Sequence, residues 1–525
     1  MGKNLLNGNE ALGIELGSTR IKAVLVDENC TPLASGGCNW ENEYKNGFWT
    51  YNLDDVWSGI RCAYSELNKQ VKEKFGCGIK NLSAIGFSAM MHGYLPFDKN
   101  GTQLADFRTW RNTTTAQAAH KLTKLFNYNI PQRWSIAHLY QAVLNGESHV
   151  GNIDYITTLA GYVHWQLTGE KVIGVGDASG MFPVNSATCN YYDEMISAFS
   201  EIAEVKKQPW SIKDILPKIL VSGDNAGFLT EKGARMIDPS GDLQAGIPLC
   251  PPEGDAGTGM VATDSVRPKT GNVSAGTSIF SMVVLEKPLT AVHEEIDIVT
   301  TPCGDDVAMV HCNNCCTDLD YWVSLFYEFA LVSGANITKP QVYDLLYNAA
   351  LGADPDCGGL INYNLFSGEP VSGLADGRPM FVRKRDSVFN LPNFFRAQIY
   401  SALATLKIGM DVLAGENAGI DMLMGHGGLF KTKQVGQQLL AGALNTPIAV
   451  NESAGEGGAW GIAVLAQYSC SDKNLLLADY LDDVVFANTE KTIINPCLAD
   501  SSGFEDFMVN YKNGLAAEIA AAENL

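Results

Sequence analysis

Ile14-Glu15-Leu16-Gly17-Ser18-Thr19-Arg20-Ile21-Lys22-Ala23-Val24-Leu25-Val26-Asp27 reads as a strand, a glycine-hydroxyl turn and a second strand. In the second arm Ile21, Ala23 and Leu25 alternate with Lys22, Val24 and Val26, the two-residue period of a strand with distinct faces. The stretch therefore predicts a β-hairpin turning at Gly17-Ser18-Thr19. Far along the chain, Gly271-Asn272-Val273-Ser274-Ala275-Gly276-Thr277-Ser278-Ile279-Phe280-Ser281-Met282-Val283-Val284-Leu285 repeats the logic: an approach strand, Gly-Thr-Ser, an apolar strand. Gly17 and Gly276 stand about half a chain length apart, the spacing a duplicated domain would leave. Two unrelated hairpins would read the same way, so other features must decide between these readings.

The length of 525 residues asks for two large domains. Val261 to Thr270 is polar, contains Pro268 and lacks periodicity, which places the expected boundary there and the domains at 1–262 and 263–525. Helical spacing is read from Asp54 to Val71, in the amphipathic run Asn393 to Val412, and from Phe504 to Leu525; Ala84 to Phe87 and Val307 to Val310 read as strands. With 46% hydrophobic and 18% charged residues the composition is that of a folded α/β protein. A net charge of −21, with no basic run, argues against nucleic acid as a partner. No apolar stretch reaches membrane-spanning length and the first ten residues do not read as a secretion signal. Thirteen cysteines in such a chain read as reduced thiols, and a cytoplasmic location is expected.

Several segments carry chemistry. Backbone N–H groups at tight glycine turns bind anions, and neighbouring hydroxyls add donors. Gly17-Ser18-Thr19, Gly276-Thr277-Ser278, Gly425-His426-Gly427-Gly428 and Gly455-Glu456-Gly457-Gly458-Ala459-Trp460-Gly461 all offer this, while a Walker A sequence and a dinucleotide fingerprint are missing. Asp255, in Pro251-Pro252-Glu253-Gly254-Asp255-Ala256-Gly257, is placed either as a turn residue or as a base for a substrate hydroxyl. His92, in Met91-His92-Gly93 after a strand, is either structural or a polyol ligand. Cys312 and Cys315 have CxxC spacing but lack a second pair, so small residues at a strand end compete with a soft-metal site.

In order along the chain these segments resemble the FGGY carbohydrate kinase family of the actin-like, ribonuclease-H-like ATPase superfamily. Ile14 to Asp27 is similar to its first phosphate motif and Gly271 to Ser278 to its second. Met91-His92-Gly93 with Asp98-Lys99-Asn100-Gly101 and Trp110 resembles the sugar-binding segment of xylulokinases. Leu167-Thr168-Gly169-Glu170 with Asp177-Ala178-Ser179-Gly180, the catalytic Gly254-Asp255-Ala256, the adenosine-binding Gly425-His426-Gly427-Gly428 and the small-residue helix around Gly457-Gly458-Ala459 follow in place. The resemblance implies an α/β protein of two ribonuclease-H-like domains closing on an interdomain active-site cleft, with sugar mostly on the first and ATP mostly on the second. It implies Asp255 as catalytic base, Met91, His92, Gly93 and Trp110 as sugar ligands, Gly17, Ser18, Thr19, Gly276, Thr277, Ser278, Gly425, Gly427 and Gly428 at ATP and its phosphates, Mg²⁺ organised by Glu15 through water, and a homodimer. The expected reaction is ATP-dependent phosphorylation of a ketose or polyol, xylulose first.

Two departures accompany the resemblance. Glu15 stands where the family usually has Asp, and Asn112, in Trp110-Arg111-Asn112-Thr113-Thr114, stands where it usually has Asp. The competing readings are a non-catalytic or regulatory actin-like ATP-binding protein, and an ATP-hydrolysing activase needing a partner or cluster site, for which Cys312 and Cys315 are the one hint.

Overall fold

The computed structural model describes residues 6–451, 457–472 and 474–525; Gly455 and Glu456 of the last glycine cluster lie outside them. Two compact units form. One comprises Met1–Val266, Ile298–Val307 and Ser453–Thr489, the other Arg267–Asp297, Ala308–Glu452 and Glu490–Leu525. The units are thus not the contiguous spans 1–262 and 263–525 expected from the sequence. Two later segments belong to the first unit: Ile298–Val307, and the helix Gly457–Tyr468, which packs on its central sheet. A side chain at Gly13 would meet Ala459 O at 2.2 Å, and one at Gly86 would meet Ile462 O at 2.7 Å. Small residues on both partners let the helix backbone lie directly on the strands.

The first sheet runs in the order β5-β4-β1-β2-β3, with β1 Ala11–Leu16, β2 Arg20–Val26, β3 Pro32–Asn39, β4 Ala84–Ala89 and β5 Glu253–Gly254. β1 and β2 are the expected hairpin, antiparallel with Glu15 opposite Lys22 and Leu16 opposite Ile21. β4 lies parallel to β1, and β5 parallel to β4. Burial on both faces explains why β1 and β4 read as near-continuous apolar runs.

The second unit repeats the plan. Its sheet contains β8-β7-β6-β9-β10-β11 in order, with β6 Thr270–Ala275, β7 Ile279–Val284, β8 Asp306–Cys312, β9 Met422–Gly427, β10 Ile448–Asn451 and β11 Lys491–Ile494. Again a central hairpin strand has its antiparallel partner on one side and two parallel strands on the other. Duplication, rather than two unrelated hairpins, accounts for the recurrence of the glycine turns.

Helices cover these sheets. Leu53–Phe75 begins where the Asn52 side chain accepts the Asp54 N–H and ends at Gly76, whose φ of 81° closes the last turn. Its Ile60, Tyr64, Leu67 and Val71 face the first core. Leu391–Gly415 differs from the expected amphipathic run, because Arg396, Gln398, Ser401 and Thr405 are buried along with its apolar residues. Neighbouring helices and strands enclose it, and Asp500 satisfies the buried Arg396 charge at 2.6 Å. Among the described residues no helix is long and apolar enough to cross a membrane.

Candidate active site

In the first unit the carboxyl ends of β1, β4 and β5 come together. The Met90 N–H donates to the Leu16 carbonyl at 3.1 Å, and Ser88 pairs with Glu15 on one side and Glu253 on the other. Asp255, half-buried in the first turn of the helix Asp255–Ala262, accepts the Met91 N–H on Oδ1 at 3.1 Å. Two predicted site residues thereby meet. Next in the chain, His92 and Gly93 take φ of 70° and 95°. A side chain at Gly93 would meet Arg108 O at 2.6 Å, so the bend there requires glycine. The bend sends the His92 ring into the protein, stacked over Trp134 with centroids 6.3 Å apart. His92 Nδ1 donates to the Gly180 carbonyl at 3.3 Å.

Trp110 follows the segment that pairs with this bend: Arg108 and Tyr94 exchange backbone hydrogen bonds, and Trp110 packs partly buried against the first core. Asn112 is buried and structural. Its Oδ1 accepts the Trp49 N–H at 2.8 Å, while Nδ2 donates to the carbonyls of Trp49 at 2.9 Å and Thr109 at 3.0 Å. A carboxylate could not make those two donations.

The turn Gly17-Ser18-Thr19 is held by its carbonyls: Trp40 Nε1 donates to Gly17 O at 2.7 Å, the Tyr51 hydroxyl to Ser18 O at 2.6 Å, and the Trp40 N–H to Thr19 O at 3.1 Å. The second unit uses the same device. The Cys316 N–H donates to Gly276 O and the Cys315 N–H to Thr277 O, both at 3.0 Å. Beside it, β6 and β9 place Ala275 opposite Gly427 and Ser274 opposite His426. Gly427 has a φ of 103°, and a side chain there would strike Ala275 O at 2.4 Å. Gly276-Thr277-Ser278 and Gly425-His426-Gly427-Gly428 are thus brought together within the second unit, with Gly427 and Gly428 exposed.

Electrostatics single out two carboxylates that are not among the expected site residues. Glu253 is buried, accepting the Gly176 and Asp177 N–H groups at 3.3 and 3.0 Å. Asp177 is buried as well, its Oδ2 bonded by the Thr158 hydroxyl at 2.6 Å. Burial, then repulsion from Asp177, pushes the Glu253 carboxyl up to about 8. Burial lifts Asp177 to about 7, with Asp255 adding repulsion. Burial lifts Glu15 to about 7, with Asp255 adding to the rise and Lys22 and the Ala459 N–H opposing it. Asp255 itself is raised by burial and held back by the Met91 and Ala256 amides. Lys22 was legible in one respect: counting back from the turn sets it opposite Glu15. Nothing local in the sequence marks Asp177 and Glu253 as buried.

Mutually repelling carboxylates at Glu15 and Asp255, with the Ser88 and Thr258 hydroxyls 3.1 Å apart nearby, form an oxygen donor set suited to a hard divalent cation. Among the described residues no three His, Cys, Asp or Glu side chains form a metal cage. Mg²⁺ is commonly held by one or two carboxylates together with substrate phosphates, so these residues fit it.

The FGGY family of carbohydrate kinases matches the chain twice, its N-terminal domain at residues 11–261 and its C-terminal domain at residues 271–470. A xylulose kinase of Haemophilus influenzae is 21% identical over 550 residues, spanning 96% of this chain and 99% of its own. Among solved structures, a gluconate kinase from Lactobacillus acidophilus superposes with a TM-score of 0.78 at 16% identity, covering 98% of this chain and 99% of that one. A ligand-bound xylulose kinase from the same species gives 0.76 at 16% identity with the same coverage. The duplicated units are therefore those of the actin-like ATPase fold, and with both family domains matched in order the chain belongs to the FGGY family of carbohydrate kinases and is a kinase.

Proposed function

We propose that the protein transfers the γ-phosphoryl group of ATP to a hydroxyl of a small ketose or polyol, with xylulose as the first candidate. The observation that carries the reading is the Asp255–Met91 hydrogen bond, which ties a carboxylate with a raised pKa to the Met91-His92-Gly93 segment. A base poised nearer neutrality than an ordinary carboxylate is suited to accept a hydroxyl proton as that oxygen attacks phosphorus. His92, in the same segment, is assigned to the sugar. Met91, Gly93 and Trp110 complete the sugar side.

ATP is assigned to the glycine turns. Gly17, Ser18 and Thr19 in the first unit and Gly276, Thr277 and Ser278 in the second are turns anchored by their carbonyls, with Gly425, Gly427 and Gly428 beside the second. Glu15 and Asp255 would hold Mg²⁺, which when bound neutralises phosphate charge. Fold likeness extends equally to a gluconate kinase and a xylulose kinase, so the preference for xylulose rests on Met91-His92-Gly93 and on the sequence relative. The test is an ADP-release assay across pentuloses, hexuloses and polyols. Saturable, sugar-dependent turnover with one of them is expected; ATP hydrolysis indifferent to every sugar would overturn the reading.

A further inference from the structure

The second phosphate turn hangs from two adjacent cysteines. The Cys315 and Cys316 N–H groups hold Thr277 O and Gly276 O, and the two Sγ atoms stand 3.4 Å apart. The rest of this loop is clamped from the other side. Glu369 accepts the Asn313 and Asn314 N–H groups at 3.0 and 3.2 Å, and Asn364 Nδ2 donates to the Cys315 carbonyl at 2.9 Å. Cys315 is buried and Cys316 half-buried. The loop therefore has fixed ends, a facing pair of thiols in its middle, and its two central amides committed to the turn.

We propose that Cys315 and Cys316 form a reversible vicinal disulfide that loosens the Gly276-Thr277-Ser278 turn. Neighbouring Cα atoms lie about 3.8 Å apart, below the span a disulfide normally bridges, so closing this ring must rotate the peptide between the two residues. Rotating that peptide redirects the Cys316 N–H away from Gly276 O. The oxidant is a low-molecular-weight disulfide. The Cys316 sulfur, as thiolate, attacks it and displaces one small thiolate. Cys315 then attacks the Cys316 sulfur, its proton passing to the second small thiolate as that leaves. Two protein thiols give up two electrons and two protons, and one small disulfide becomes two thiols. Strained disulfides are the readily reduced ones, which suits a switch.

The experiment treats the reduced full-length protein with oxidised glutathione and follows three readouts. Peptide mass spectrometry should find a Cys315–Cys316 link with the loss of about 2 Da expected for a disulfide. Amide exchange should quicken at residues 276–278, and dithiothreitol should restore it. The KM for ATP should rise by about fivefold or more while the sugar KM holds, the usual scale of such coupling. Cys316→Ala, compared with itself before and after oxidant, should show neither exchange nor KM response. Absence of the link, a Cys312–Cys315 link in its place, or a link that leaves exchange at 276–278 unchanged would overturn the proposal. The KM readout rests on the nucleotide role proposed above; the first two do not, so failure of the kinase reading would leave them intact.

Discussion

Asp255 Oδ1 accepts the backbone N–H of Met91 at 3.1 Å, tying the start of one helix to the end of β4. The bond orients the carboxylate, which the Ala256 amide also holds. Asp255→Asn keeps an acceptor for Met91 and removes the ability to take a proton. Turnover should fall by about 10²- to 10⁴-fold, the usual worth of a positioned base. ATP-analogue binding, measured by calorimetry, should stay within a fewfold of wild type. Near-normal turnover would exclude Asp255 as the base.

The buried carboxylates give stability a definite pH slope. Glu253 rises from an ordinary 4.5 to about 8 in the folded protein, so between these values the native state holds a proton that the unfolded chain releases. This contribution is complete below about pH 4.5 and is lost as pH rises toward 8. Glu253→Gln cannot ionise. Its melting temperature should lie lower at acid pH, because one of the two amide bonds to Gly176 and Asp177 is lost, yet fall less steeply between pH 5 and 8 than that of wild type. Parallel Tm–pH profiles would refute the assignment.

Much of this was legible in the sequence because it rests on local signals. The hairpin at Gly17 and its echo at Gly276 follow from strand alternation around a glycine-hydroxyl turn, and the sheets built on them are wound alike. Met91 could be named as a candidate because it follows the strand-like Ala84 to Phe87, and Asp255 because its carboxylate stands in a loop of small residues; that both segments leave the same sheet edge was not legible. The return of Gly457–Tyr468 to the first unit was not legible, since what sends it there is close packing on Gly13 and Gly86, hundreds of residues earlier. Asp177 and Glu253 were missed for the same reason: their burial is made by partners distant in sequence.

Asn112 looked like a lost sugar ligand, and the structure gives it a different employment. Asn112→Asp would remove both Nδ2 donations and leave the carbonyls of Trp49 and Thr109 facing a carboxylate. A cost of about 1–3 kcal/mol or more is expected for such buried groups. Thermal denaturation should show the loss, and the sugar KM should not improve. A lower sugar KM with unchanged Tm would return this position to the sugar site.

Two glycines of the first unit separate packing from chemistry. A methyl at Gly13 would meet backbone, Ala459 O at 2.2 Å, which has no rotamer to yield. Gly13→Ala should therefore destabilise by about 1–3 kcal/mol or more through overpacking. A methyl at Gly458 would meet Glu15 Oε1 at 2.4 Å and Thr258 Oγ1 at 2.9 Å, both movable. Gly458→Ala should keep most of the melting temperature and lower kcat by displacing the Glu15 carboxylate. Equal Tm losses in the two variants would remove that distinction.

Glu15 bears on how the family's usual Asp was replaced. Its carboxylate reaches the Ala459 N–H at the start of the small-residue helix and feels Lys22 across the hairpin, while burial and Asp255 hold its pKa near 7. Glu15→Asp shortens the side chain by one methylene, drawing the carboxylate back from the Ala459 amide and toward its own strand. The half-saturating Mg²⁺ concentration should shift, because carboxylate placement changes where an oxygen donor meets a cation that tolerates little distortion. The acidic limb of the kcat/KM profile should shift too, since Glu15 and Asp255 repel and moving one charge changes the proton affinity of the other. A Mg²⁺ titration and a pH profile both superimposable on wild type would mean that the longer side chain serves only the helix contact, and that the cation is organised elsewhere.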